Sequence, residues 1–244
     1  MGAPIHGLRV RQRRIMPVLR GILTEMARTL DRPPRVLDLG CGTGLFTMGL
    51  ARSFPGCQVI GLDNWGQLVE KDACIAQSAG LDNCSFQLGD ALDLIYAQEF
   101  DLAVCIDNLE HVEDDQQVLD NLFRALKPGG MAVIHVPGLY RRWLFWAKKQ
   151  NFEVKGHVRP GYLLEDISGK VTRAGFQVIQ ASHTYGWLET VTNNISYLIT
   201  GADRRRKHLY ALAFPVLNAL AYWGQWSRPA WGAGVLLVAR RPAQ

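Results

Sequence analysis

The chain is short of most features that assign a protein quickly. Its 244 residues hold five cysteines (Cys41, Cys57, Cys74, Cys84 and Cys105), with no C-x-x-C pair among them. An odd, scattered set argues against a disulfide framework and for reduced thiols in the cytosol. Six histidines are dispersed without an H-x-x-x-H pair, so no metal set is visible in the spacing. No uncharged apolar run is clearly long enough to span a bilayer. The start lacks signal-peptide shape, because Arg9 to Arg14 breaks any apolar run there. Internal repeats and low-complexity segments are absent as well.

The hydrophobic fraction of 48% is enough for a large core, and the length suits one domain. The net charge of +5 is modest but clustered. Arg9, Arg11, Arg13 and Arg14 form one group, Arg141, Arg142, Lys148 and Lys149 a second, and Arg204 to Lys207 a third. Such clusters are either solvated helix ends or footprints for an anionic membrane surface or nucleic acid. No recognised nucleic-acid module accompanies them, which makes nucleic acid the weaker partner.

The most informative stretch is Val36-Leu-Asp38-Leu-Gly40-Cys41-Gly42-Thr-Gly44. It reads as a buried strand breaking into a glycine-rich turn, followed by a helix over 45–54. That is the opening unit of a doubly wound α/β sheet, with a nucleotide-like ligand against the turn. A second strand, Val59 to Asp63, ends in a carboxylate roughly 20 residues on, placed for two ribose hydroxyls. The dinucleotide fingerprint would need Gly or Ala where Leu45 stands, and a phosphate-binding P-loop would need a Gly-Lys-Ser/Thr ending. The turn therefore reads as passing close to something uncharged rather than clamping a pyrophosphate.

These residues resemble motif I and its successor in class I S-adenosylmethionine-dependent methyltransferases. Further segments agree in order: 86–91 (FQLGDA), 100–114 (FDLAVCIDNLEHVED, with the Leu-Glu-His-Val of the type-11 small-molecule subgroup) and 119–138 (LDNLFRALKPGGMAVIHVPG). The resemblance covers about residues 34 to 182. It implies S-adenosyl-L-methionine as cofactor and a final strand antiparallel to its neighbours. Asp63 would hold the ribose and Asp90 the adenine amino group, with Ala91 offering a backbone contact. Asp38 would orient the turn or meet the methionine amino group. Gly40, Cys41, Gly42, Gly44, Asn64, Trp65 and Ile106 complete the expected cofactor contacts, with Trp65 against the adenine face. Plainer readings stand beside these: Asp63 and Asp90 as helix caps, Trp65 in ordinary packing, the glycines as turn formers.

Elsewhere, strands alternate with helices, which means a mostly parallel Rossmann-like sheet of seven strands. An amphipathic helix over 15–30 precedes it, with Ile15, Val18, Leu19, Ile22, Leu23 and Met26 on one face. The expected division is an N-terminal helical cap (1–34), a cofactor-binding core (35–183), an apolar Trp-rich insertion (184–231), and the last strand with a tail (232–244). The insertion contains an apolar helix over 209–223, interrupted by Pro215. A helix apolar all round must be buried somewhere: as a lid, in a homodimer, or at a bilayer interface. That points to an amphipathic acceptor, lipid-linked or prenylated, reached by a cytoplasmic protein at the inner membrane surface.

Methyl transfer asks mostly for alignment, but a hydroxyl acceptor also needs a base or a metal. His111 and Asp107 follow the fourth strand, and His157 lies in the segment 140–162, beside Arg159 and Tyr162. These three are the catalytic candidates, and the plainer reading of each histidine is structural. Three rivals remain: a nicotinamide-dependent oxidoreductase, disfavoured by Leu45; a cofactor-binding protein without turnover; and methylation of RNA or protein, disfavoured because Asp107-Asn108-Leu109-Glu110 stands where an Asn-Pro-Pro-Tyr-like motif would serve a flipped base.

Overall fold

A computed structural model describes residues 5–143, 147–150, 156–200, 207–227, 229–230 and 232–243. Nine strands are described among these residues: β1 (Arg35–Leu39), β2 (Gln58–Asp63), β3 (Cys84–Leu88), β4 (Phe100–Ile106), β5 (Leu126–Pro137), β6 (Tyr140–Trp143), β7 (Ala147–Gln150), β8 (Gln177–Thr184) and β9 (Gly234–Arg240). Seven of them form one sheet in the order β3-β2-β1-β4-β5-β9-β8. Every pairing from β3 to β5 is parallel, and β9 runs antiparallel to both neighbours. The order reverses between β1 and β4, so the ligand crevice lies outside the carboxyl ends of those two strands.

Seven α-helices occur among the described residues: α1 (Ile5–Thr29), α2 (Leu45–Ser53), α3 (Gly66–Ser78), α4 (Asp115–Ala125), α5 (Leu164–Arg173), α6 (Trp187–Thr200) and α7 (Lys207–Gly224). Strand β4 is buried along its whole length. Its alternation divides the core. Leu102, Val104 and Ile106 join Ile15, Leu19, Leu23, Phe46 and Leu50 on one face. Ala103 and Cys105 join Leu119, Leu122, Ile167 and Val171 on the other. Period-2 burial on both faces is what a covered parallel sheet requires.

The structure departs from the sequence reading in four places. Helix α1 begins at Ile5, not near residue 15. Its arginines look like a polar interruption but are used internally. Arg11 pairs with Asp107, Arg13 donates to the Asn218 backbone and side chain (3.2 and 2.6 Å), and Arg14 grips the buried Glu189. That cluster is therefore largely a docking device rather than a free basic face. The second difference is that the insertion holds two helices, not one: α6 lies under α7, and both contact α1. The third is that Pro215 lies inside α7 without ending it. A proline costs a helix interior about 3 kcal/mol, and buried Leu217 and Ala221 on the same helix offset it. The fourth is an antiparallel hairpin, β6–β7, in the segment after β5. The side chains of the basic residues in that hairpin, residues 204–206 and Trp231 lie outside the described residues.

Candidate active site

The turn after β1 is pinned by the end of β2. Leu62 O accepts from Gly40 N (2.8 Å) and Cys41 N (3.1 Å), and Asp63 Oδ2 accepts from Gly42 N (2.8 Å). Asp63 Oδ1 accepts from Trp65 N (3.0 Å). The carboxylate thus fixes both the turn and the start of α3, and it sits half-buried at the crevice. Gly40, Gly42 and Gly44 all have left-handed φ, at 72°, 54° and 62°. A Cβ on Gly40 would lie 2.4 Å from the Asn108 side chain, and one on Gly44 would lie 2.7 Å from the Phe86 ring. A Cβ on Gly42 would meet nothing within 4 Å. Two of the three glycines are therefore packed, and Gly42 is the one that faces open space where a ligand can approach the main chain.

Asp38 is buried beneath the turn, and its Oδ2 accepts from Thr47 Oγ1 at 2.6 Å. Burial raises its carboxyl to about 6 against the pull of the Thr47 hydrogen bonds. The folded protein thus binds this proton more tightly than the unfolded chain, whose carboxyl titrates near 3.8. The stabilising contribution is complete below pH 4 and is lost as pH rises through 6. Chemical denaturation is expected to lose on the order of 3 kcal/mol across that window, and Asp38→Asn to flatten the profile. An unchanged slope in the variant would assign the titration elsewhere.

The other expected cofactor residues lie around the same crevice. Trp65 is 60% exposed, so its ring is not part of the core. Asn64 is exposed beside it. Asp90 caps the short turn Ala91–Asp93, with Oδ1 accepting from Leu92 N at 2.9 Å. Ala91 O accepts from Asn121 Nδ2 at 2.9 Å. Ile106 is buried at the end of β4. Cys41 keeps its thiol: burial, then the nearby Asp38 and Asp63, push its pKa far up.

At the exit of β4 the structure assembles residues that sequence spacing could not join. Asp107 has φ 48°, an uncommon conformation for a non-glycine residue. Its Oδ1 meets His135 Nδ1 at 2.5 Å, and its Oδ2 pairs with Arg11. His135 Nε2 lies 2.9 Å from Thr184 Oγ1. Tyr185, at φ 59°, stacks edge-on against the His135 ring. Burial alone would raise the Asp107 carboxyl, but Arg11 and then His135 outweigh it and hold it at about 2. Asp107 is thus an anion engaged on both oxygens, and it ties α1, β4 and β5 together. His135 and Arg11 were invisible as partners because they lie 28 residues after Asp107 on β5 and far upstream on α1.

His111 and His157 come together as well. The segment after the β6–β7 hairpin folds back over the β4 exit: Val158 N donates to Glu110 O (2.9 Å), and Arg159 donates to Leu109 O (3.2 Å) and Glu113 O (2.8 Å). Arg159 also bonds Asp115 and Tyr162, and Lys170 closes the cluster on Asp115 at 2.6 Å. The two imidazoles stand edge to face with centroids 4.5 Å apart, and His111 Nδ1 lies 2.8 Å from Gly156 O. Burial and then the His111 charge lower the His157 pKa. Burial and then Asp107 raise that of Glu110. A cleft of about 550 Å³ lies on the far side of this segment, lined by Glu113, Asp115, Leu139, Arg159, Tyr162 and Lys170. It includes none of the glycine turn.

The family described as "Methyltransferase domain" matches residues 30–187. The chain is 37% identical over 108 residues to trans-aconitate 2-methyltransferase of Deinococcus radiodurans, covering 44% of this chain and 40% of that one. It is 34% identical over 103 residues to the ubiquinone biosynthesis O-methyltransferase of Psychrobacter cryohalolentis, covering 41% and 39%. The match thus spans about two fifths of the length of these relatives. Among solved structures, the fold is similar to the [4+2]-cyclase SpnF (TM-score 0.63, 24% identity, 92% of this chain and 81% of that one). It is also similar to the S-adenosylmethionine dependent methyltransferase from Mesorhizobium loti (TM-score 0.59, 22% identity, 92% and 96%). This chain belongs to the S-adenosylmethionine-dependent methyltransferase family.

Proposed function

We propose that this protein transfers a methyl group from S-adenosylmethionine to a hydroxyl of a small amphipathic acceptor, prenylated or lipid-linked, at a membrane surface. The observation that carries the membrane part is the outer face of α7. Tyr210, Ala213, Phe214, Leu217, Ala221 and Gly224 point inward, with Leu217 and Ala221 buried. Leu209, Leu212, Val216, Leu220 and Trp223 form a second apolar stripe on a separate, solvent-facing side, with Leu212 77% and Trp223 70% exposed. Trp226 continues it, and no acidic residue occurs on the helix. Solvent-facing Leu and Val ending in paired tryptophans suit the boundary between headgroups and acyl chains. Among the described residues no helix is long and apolar enough to cross a membrane, so the contact would be peripheral.

The cofactor's sulfonium supplies an activated methyl group, and the chain's work is to bind, orient and exclude water. Gly42 and Asp63 would hold the nucleoside, and Asp38 the methionine end. Asp107 acts as a positioning residue, because a carboxylate held near 2 is a poor base at neutral pH. Arg159 fastens the segment carrying His157 over the acceptor side.

The test is transfer of labelled methyl from S-adenosylmethionine to prenylated and unprenylated phenols, with flotation on anionic vesicles alongside. The wild type is expected to float at low salt and to prefer the prenylated acceptor. Leu212→Glu combined with Trp223→Ala is expected to abolish flotation while leaving cofactor binding intact. Failure of the wild type to float at low salt would remove the membrane part.

A further inference from the structure

We propose that Glu110, His111 and His157 form a binding site for a divalent transition-metal ion at the exit of β4. The donor atoms of the three side chains lie within 4.8 Å of one another. An ion with bonds of about 2.0–2.2 Å holds neighbouring donors somewhat closer than this, so a small inward adjustment completes the set. Two further observations point to a ligand. Glu110 is only 1% exposed, yet its Oε2 has no hydrogen-bond partner. His157 Nδ1 is also buried without one. Buried polar atoms are nearly always satisfied, and each exception calls for an explanation.

The His111 geometry supports the same assignment. Its Nδ1 lies 2.8 Å from the Gly156 carbonyl, an acceptor only, so Nδ1 carries the proton and Nε2 presents its lone pair. A ring nitrogen donating to a backbone carbonyl while the other faces the ion is the usual support for a metal-bound imidazole. Two imidazoles and one carboxylate suit zinc, iron or cobalt better than calcium or magnesium, which prefer all-oxygen sets. Three protein ligands also leave positions open for a water or a substrate oxygen.

The place of the site suggests its use. Asn108, two residues before Glu110, packs against Gly40 of the cofactor turn, so the ion would sit on the acceptor side of the crevice. Bound there, it would lower the pKa of an acceptor hydroxyl. That proton passes to bulk water. The oxygen lone pair forms the new O–C bond as the S–C bond breaks, and the S–C electron pair returns to sulfur. This role rests on the methyl-transfer reading, whereas the binding of the ion does not.

Cobalt(II) is the probe. Titrating it into the full chain should give one tight site, with ligand-field bands and no thiolate charge-transfer band. His157→Ala removes one of three ligands and should weaken binding by more than the roughly 10–100-fold that loss of an outer-shell partner costs, and His111→Ala should also weaken it strongly, from an exposed position whose loss leaves the core intact. S-adenosylhomocysteine titrated into the same variants should bind as it does to the wild type. No cobalt binding by the wild type would overturn the site, as would undiminished, wild-type affinity in the two variants or a charge-transfer band placing the ion on cysteine. Failure of S-adenosylhomocysteine to bind the wild type would strike the cofactor reading and leave the cobalt result standing.

Discussion

Asp63→Ala is expected to weaken S-adenosylhomocysteine binding by about 100-fold or more. The carboxylate accepts from Gly42 N at 2.8 Å and from Trp65 N at 3.0 Å, and under the proposed function its remaining lone pairs accept from the ribose hydroxyls. Hydrogen bonds to a charged group contribute about 1.5–3 kcal/mol each. Losing two ribose contacts alone therefore costs about 100-fold or more. Removing the pin on Gly42 adds to this, because the left-handed turn loses the acceptor that holds its open face. Asp63→Asn keeps the volume and one acceptor and should fall between. Calorimetric titration of the wild type and both variants reads the result. A loss of less than about tenfold in the alanine variant would show that the ribose is held elsewhere and that Asp63 serves the turn alone.

Asp107→Ala is expected to destabilise the fold by about 3 kcal/mol or more, because it strands the half-buried Arg11 charge and unties the buried His135. In a chain of this size that lowers Tm by roughly 6–20 °C. The pH dependence has a fixed sign. The folded carboxyl is depressed to about 2 from 3.8, so its contribution is present above the ordinary value and lost as pH falls through 2. The same variant separates a positioning role from a base. A base would leave Tm unchanged and abolish turnover with a shifted pH profile. A tie between α1, β4 and β5 lowers Tm and loosens α1, which proteolysis within residues 5–29 would detect. Thermal melts of Asp107→Ala and Asp107→Asn decide it, and an unaltered melt in the alanine variant would refute the tie.

Which parts of this protein were legible in its sequence follows from the range of the interactions concerned. The strand–turn–helix around Gly40 to Gly44 and the carboxylate ending β2 were readable because each is set by local chemistry: buried β-branched and aliphatic runs, positive φ at glycine, and period-2 burial. The alternation of elements then implied a parallel sheet, and the motif order implied the cofactor. Helix α1 was read ten residues short because Arg9 to Arg14 look like a solvated end. Only the folded chain shows that Asp107, Glu189 and Asn218 receive those arginines.

Tertiary structure alone decided the rest, for one physical reason: the partners lie far apart in the chain. His135 meets Asp107 because β4 and β5 are neighbours in register, with Ile106 opposite His135. His157 meets His111 across 46 residues because Arg159 and Val158 staple the returning segment to the β4 exit. The apolar helix in the insertion was visible as apolar, but which face it buries depends on α1 and α6, and only their packing exposes the stripe from Leu209 to Trp223. Local propensity and spacing thus determined the glycine turn and the carboxylate beside it, while long-range burial and charge pairing determined the assembly at the β4 exit.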